Sequence, residues 1–324
     1  MIVHPELRAL RGDDSPQRDD QQRLAAALHR WRERPGVVRV FGELDAFSQG
    51  GAIDDFPALA RLFDGSDAAR LFADAFIAAI GTAFGKARLA HVPFRFYYDD
   101  TSATLRIAKF GNTSLALSAI DGCALSRRPA PSTADFSACE KWEHFLAGSG
   151  SVLSTRCDDI ERDQARLESE TLGIRAGKVI SHRAWERSVV PVAVDGRLVS
   201  LRLHRRLPTP APTREFRLRD GQFVHQAAGD LAESRLDLMM SLAGRMRVAE
   251  AAPMLARIAV ESHSTALRWQ ALRECLALDT ATGFTALSRV AASPCDDLAH
   301  AAGALRSQLV ETYPQLEELT LCQR

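Results

Sequence analysis

The side chains that carry chemistry are present in this chain, but no motif fixes a reaction. Nine histidines and six cysteines are scattered over 324 residues. Cys123, Cys139, Cys157, Cys275, Cys295 and Cys322 form no C-x-x-C pair, so neither a zinc knuckle nor a dithiol redox motif is written. They read as separate reduced thiols. A thiolate–imidazole pair such as Cys157 with His182 must meet in space, which sequence position does not establish. There is no G-x-S-x-G elbow, no G-x-x-x-x-G-K-[ST] loop, no G-x-G-x-x-G and no H-E-x-x-H. Gly148-Ser149-Gly150-Ser151 lacks the lysine of a phosphate loop and reads as a flexible turn. Two basic or aromatic clusters remain. Phe94, Phe96, Tyr97 and Tyr98 beside Arg95 form either a stacking platform or, through the shared strand face of Phe94, Phe96 and Tyr98, part of a core. Arg202, His204, Arg205 and Arg206 form either an anion site or a solvated strand end.

Bulk properties narrow the classes. Hydrophobic residues make up 46% and charged residues 25%, the balance of a globular chain rather than a disordered or fibrous one. Lys plus Arg equals Asp plus Glu, 41 each, so no net field gathers nucleic acid or anionic lipid. The N-terminus carries Asp13, Asp14, Asp19 and Asp20 without an apolar run, which argues against a signal peptide. The most apolar window, Leu71 to Ala83, carries Asp74 and is short for a bilayer. The expectation is a cytoplasmic protein with no nucleic-acid or membrane partner.

The elements that position these residues follow from periodicity. Residues 1–20 are expected as a loose tail. Leu24, Leu28 and Trp31 predict a helix over Gln21–Arg34, stopped by Pro35-Gly36. A short helix at Asp54–Phe63 and a stronger one at Asp67–Thr82 follow. After Gly85 the period changes to two. Val92–Tyr98, Ala103–Phe110 and Ser114–Ile120 predict a three-stranded antiparallel meander. Cys139–Ala147 is expected as a helical turn and Asp158–Glu170 as a charged helix or loop. Thr171–Arg175, Lys178–Ser181, Ser188–Val194, Leu198–His204, Arg214–Arg219 and Gln222–His225 are further strands, with Asp195-Gly196 as a hairpin turn. Strands in this number without intervening helices argue an antiparallel sandwich, jelly roll or barrel.

The last third repeats itself. Met254-Leu255-Ala256-Arg257-Ile258-Ala259 recurs thirty-two positions on as Ala286-Leu287-Ser288-Arg289-Val290-Ala291. Leu236–Met240, Leu267–Ala271 and Leu298–Ala302 align at a spacing of thirty-one. Two amphipathic helices per unit at this period mark an α-solenoid. The Leu-Arg-x-x-Ala-Leu run at Leu267–Leu272 resembles the helix signature of HEAT repeats. That resemblance covers about ninety residues and implies a ridged surface that takes a protein or peptide partner, with Arg268, Trp269, Arg273 and Arg289 as contact residues. Trp269 is alternatively core.

The β-rich block resembles the cupin-like jelly rolls in two strand–glycine turn–strand segments, Ile174–Ile180 and Leu218–Val224. Cupins hold divalent metal on histidines inside the barrel, so this resemblance makes His182, His204 and His225, each at a predicted strand end, a candidate three-imidazole set. The family's H-x-H followed by Glu is missing, and the lone H-x-E, His4-Pro5-Glu6, lies in the tail. The fold class expected is therefore α+β: N-terminal helices with an antiparallel jelly-roll-like domain over 21–229, then a short α-solenoid over 230–324. The function expected is a protein-interaction or scaffold module, with no cofactor. The alternatives are a cupin-like metal enzyme or a small-molecule sensor using the β-rich domain.

Overall fold

The computed structural model describes residues 12–161, 164–208, 211–229, 231–261 and 264–317. His4 and Cys322 lie outside them. The protein is a mixed α and β chain with antiparallel strand pairing. It divides into two compact units, Met1–Thr209 with Glu215–His225, and Pro210–Arg214 with Gln226–Arg324.

The first unit opens with three long helices, α1 (Ser15–Arg32), α2 (Pro35–Ser48) and α3 (Ala68–Lys86), with a short helical stretch at 53–63 between the last two. Helix α1 begins within the stretch expected as a tail. Pro16 is preset for a helical first turn, and Asp13 accepts from the Ser15 backbone and hydroxyl. Asp20, buried in that helix, accepts from the Leu89 amide at 2.9 Å. Pro35 does not end the helical course either. It sits in the first turn of α2, where its missing N–H costs nothing. Helix α3, at 19 residues and mean hydropathy 1.4, is long and apolar enough to cross a membrane, contrary to the shorter window read above. Here its Phe72, Phe76 and Ile80 face joins Trp31 of α1 and Phe47 of α2 in one core.

Ten strands follow. The larger sheet runs β1 (Phe96–Tyr98), β2 (Ser102–Phe110), β3 (Thr113–Asp121), β8 (Arg187–Arg206), β5 (Cys139–Glu161), β6 (Gln164–Arg175), with β7 (Val179–Arg183) also pairing β5. The predicted meander is β1–β3. A smaller sheet holds β10 (Phe223–Ala227), β9 (Thr213–Arg217) and β4 (Thr133–Phe136).

Three expectations fail. Cys139–Ala147 is strand, the described parts of 158–170 (158–161 and 164–170) are strand in β5 and β6, and Asp195-Gly196 is no hairpin turn. Residues 139–161 and 187–206 are two very long partners in a single antiparallel ladder, in which Asp195 lies opposite Ser149. Their register slips between Phe145 and Val152. The glycines there relieve the bend rather than end the strand. The β8 stretch reads as two short strands because the bend breaks its alternation.

One face of the sheet lies under the helices; the other mixes polar side chains with a second buried cluster of Ile120, Phe145, Val152, Ile174 and Leu198. Leu115, Leu117, Leu201, Leu203 and Ile107 pack under α1–α3. Phe94 is buried, but Phe96 and Tyr98 are exposed and stack on each other, so the three do not share a core face.

The second unit is helical: α4 (Leu231–Met246), α5 (Ala252–Val260), α6 (Thr265–Leu278), α7 (Thr280–Ala291) and α8 (Ala299–Thr312). Thr280–Gly283 forms the first turn of α7. Asp279 caps it by accepting from the Thr282 amide.

Candidate functional site

The face of the sheet away from the helices brings two histidines near one another. Register places His182 of β7 and His204 of β8 on either side of Lys141 of β5, all on one face. One pair of residues along, Glu143 accepts from Ser200 at 2.6 Å and from Arg202 at 2.7 Å. Burial, helped by the Lys141 ammonium, pushes His182 down to about 4 and His204 down to about 3. Both His182 ring nitrogens are buried without a hydrogen-bond partner among the described residues. The pair is therefore neutral through physiological pH.

The three imidazoles expected to hold a metal do not converge. His182 and His204 are two strand spacings apart, about 10 Å between backbones. The ammonium between them opposes a divalent ion. His225 is exposed on β10, in the other sheet. Among the described residues no group of three or more His, Cys, Asp or Glu is placed to hold a metal. The five described cysteines are free, and Cys157 carries a thiol raised by burial, the opposite of an activated nucleophile.

The cluster at Arg202–Arg206 is dispersed by the pleat. Arg202 points to Glu143, whereas Arg205 lies on the other face, bonded to Glu140 and the Gly51 carbonyl with its guanidinium 3.8 Å over the Phe47 ring. These are internal ties rather than an anion site.

A pH consequence follows from the histidine pair. Unfolded imidazoles bind protons near pH 6.5, while the folded ones stay neutral to about 4 and 3. The unfolded state then binds more protons, so stability is full above 6.5 and falls as pH drops below it. Between pH 6.5 and 5, above the carboxylate range, this amounts to about 2 kcal/mol at most for each ring. Urea midpoints at pH 7, 6 and 5 are expected to fall together in the native protein and to fall less in His204→Gln.

The helical unit offers the other candidate surface. Arg268 is not at its rim. Its side chain donates to the Ala259 carbonyl at 2.8 Å and grips Asp296 with both terminal nitrogens. That pairing holds the Asp296 carboxyl below the usual range. Trp269 packs partly buried against the helical core. Arg273 and Arg289 are exposed, and Arg289 lines an open groove of about 580 Å³ between α5 and α7 with Arg257 and Thr285.

The apolar surface that sequence reading missed is on α4. Leu236 and Met240 turn into the unit's core. Leu238, Met239, Leu242 and Met246 are 53–69% exposed, and Met254 on α5 is 50% exposed. Their signal in the sequence is a second apolar arc, at i, i+1, i+4 and i+8, behind the one that packs.

No protein-family model and no curated protein matches this sequence. Parts of the chain are similar to solved structures. The 7S globulin of Momordica charantia aligns over 38% of this chain and 35% of its own, at 12% identity and TM-score 0.27. A cupin superfamily protein from Desulfitobacterium hafniense aligns over 34% and 83%, at 12% identity and TM-score 0.23. The Drosophila melanogaster CENP-C cupin domain aligns over 36% and 76%, at 14% identity and TM-score 0.26. This chain thus spans little more than a third of the globulin it matches.

Proposed function

We propose that the protein is an interaction module whose helical unit docks a protein or peptide partner, carried on a β-rich unit that serves as scaffold. The observation that carries this reading is the pair of opposed apolar faces on α4. A helix apolar on both sides belongs in an interior, yet one side here is open. Methionine suits such a surface because its unbranched thioether adapts to varied shapes. Of five methionines in the chain, Met239, Met246 and Met254 are exposed within this short stretch.

The unit is read as a short HEAT-like solenoid. Residues thirty-two apart share burial: Ala252 with Phe284, Leu255 with Leu287, Ile258 with Val290. At thirty-one, Met240, Ala271 and Ala302 are all buried. Each repeat thus spends the same positions on its neighbour, while the outer face of α4 has no neighbouring repeat to cover it. Arg273 and Arg289 remain candidate polar contacts, and Arg268 and Trp269 serve the unit itself.

The β-rich unit is read as a cupin-like jelly roll. Both glycine-turn segments are strand–turn–strand, with Gly177 at φ +83° and Gly221 at φ +68°. No observation favours a metal enzyme built on His182, His204 and His225. The sensor alternative is served by a pocket on this unit, described below.

The test is site-specific photo-crosslinking from position 242 in cells, followed by binding of the captured protein to the purified chain. Leu242→Glu with Met246→Glu is expected to abolish that binding. Both side chains are open, so the unfolding free energy should change by less than about 1 kcal/mol. Undiminished binding by the double variant would sink the α4 surface.

A further inference from the structure

We propose that the first unit binds a soluble phosphorylated small molecule with a flat apolar body, in the pocket between the end of α1, helix α2 and strand β2. The pocket holds about 450 Å³, within the range of small-ligand sites. Arg32, Arg95, Arg106 and Lys109 line it, over a floor that includes Phe41 and Phe110. No carboxylate lines it.

The charge pattern points to an anion. The chain as a whole is neutral, with 41 cationic and 41 acidic side chains. Several arginines elsewhere on the sheet have acidic partners: Arg202 with Glu143, Arg205 with Glu140, Arg187 with Glu170 and Arg156 with Glu168. Among the described residues, none of the four pocket cations forms an ion pair or a side-chain hydrogen bond. Four like charges around one concavity repel, and a dianion there removes that repulsion while satisfying guanidinium donors. Sequence places them apart, at 32, 95, 106 and 109, so only folding creates the cluster.

The floor points to the rest of the ligand. Phe41 packs edge-on to Phe110 at 6.1 Å and to Trp31 at 5.7 Å, so its position is fixed from behind. Phe94 and Ile107, also in the lining, are buried. Aromatic and aliphatic walls with cations at the edge suit an aromatic phosphomonoester better than bare phosphate. A single concave pocket on a chain without net charge suits a small solute better than a polynucleotide or a bilayer.

Phenyl phosphate is the probe, titrated calorimetrically at low ionic strength into the full chain. It is expected to bind with submillimolar affinity, about tenfold tighter than inorganic phosphate. Arg95→Ala with Lys109→Ala, both exposed positions, should weaken it at least about tenfold without moving the thermal midpoint of the free protein. Arg257→Ala with Arg289→Ala, in the helical unit, should leave it unchanged. Three results would overturn the proposal. One is no heat at about 5 mM phenyl phosphate. Another is equal affinity in the Arg95/Lys109 variant. The third is binding to phosphatidylglycerol vesicles or to single-stranded DNA by a protein that ignores phenyl phosphate. The helical unit takes no part, so failure here leaves the partner-binding reading standing.

Discussion

Gly148→Ala is expected to destabilise the first unit by about 2–5 kcal/mol, the largest loss among the glycines of the bend. Two costs combine. The residue sits at φ +88°, where an L side chain costs about 1–2 kcal/mol. A Cβ built there would also meet the Arg197 carbonyl oxygen at 2.1 Å and the Leu198 Cα at 3.0 Å. That carbonyl belongs to β8, which is locked to both β3 and β5, so it cannot retreat without opening a ladder. Overpacking against fixed atoms adds about 1–3 kcal/mol or more. Two neighbours separate the terms. Gly196→Ala has φ +69° but open space, and should lose only about 1–2 kcal/mol. Gly150→Ala has no such φ but meets the Ala193 oxygen at 2.2 Å, so its loss of about 2–3 kcal/mol reports the clash alone. Chemical denaturation of all three checks the ordering. A Gly148→Ala protein as stable as Gly196→Ala would show that the two long strands are not paired as described.

The second large effect is in the helical unit, where Arg268→Ala is expected to cost about 2–4 kcal/mol. One side chain there ties three places. It bonds the Ala259 carbonyl near the end of α5, rises from α6, and grips Asp296 ahead of α8. Asp296 in turn accepts from the Leu298 amide at 2.9 Å. The two side chains are only 11% and 15% exposed, so removing either strands the other's charge in poor solvent. Arg268→Lys should recover little, because an ammonium cannot make two parallel bonds to a carboxylate and a third to the carbonyl. A double-mutant cycle with Asp296→Ala should show coupling of about 1–3 kcal/mol. Additive losses would mean the pair is solvated and the unit is held by its apolar core alone.

These two predictions also show where sequence reading stopped. The Leu-Arg-x-x-Ala-Leu run flagged Arg268 as a rim residue, since an arginine on an amphipathic helix normally faces water. Its partner is twenty-eight positions away, across a turn. The Gly148–Gly150 stretch read as a loop because glycine usually punctuates, and no local signal distinguishes a turn from a bent strand pressed against another backbone. The basic pocket was equally hidden, with its four cations drawn from α1, the segment before β1 and β2.

The sequence by itself determined what depends on neighbours along the chain. The period of two gave the β1–β3 meander. The paired apolar rows at thirty-one and thirty-two residues gave the helices of the last third. The glycine turns at Gly177 and Gly221 followed from residue type. Tertiary structure alone decided what depends on residues meeting from afar. It joined Ser188–Val194 and Leu198–His204 into β8 and made a strand of Cys139–Ala147, because a ladder of hydrogen bonds across a bend outweighs a broken alternation. It set His182 and His204 on either side of Lys141 and left His225 outside, because register, rather than position at a strand end, decides which side chains share a face. It also left one side of α4 bare, because exposure is fixed by which faces find partners.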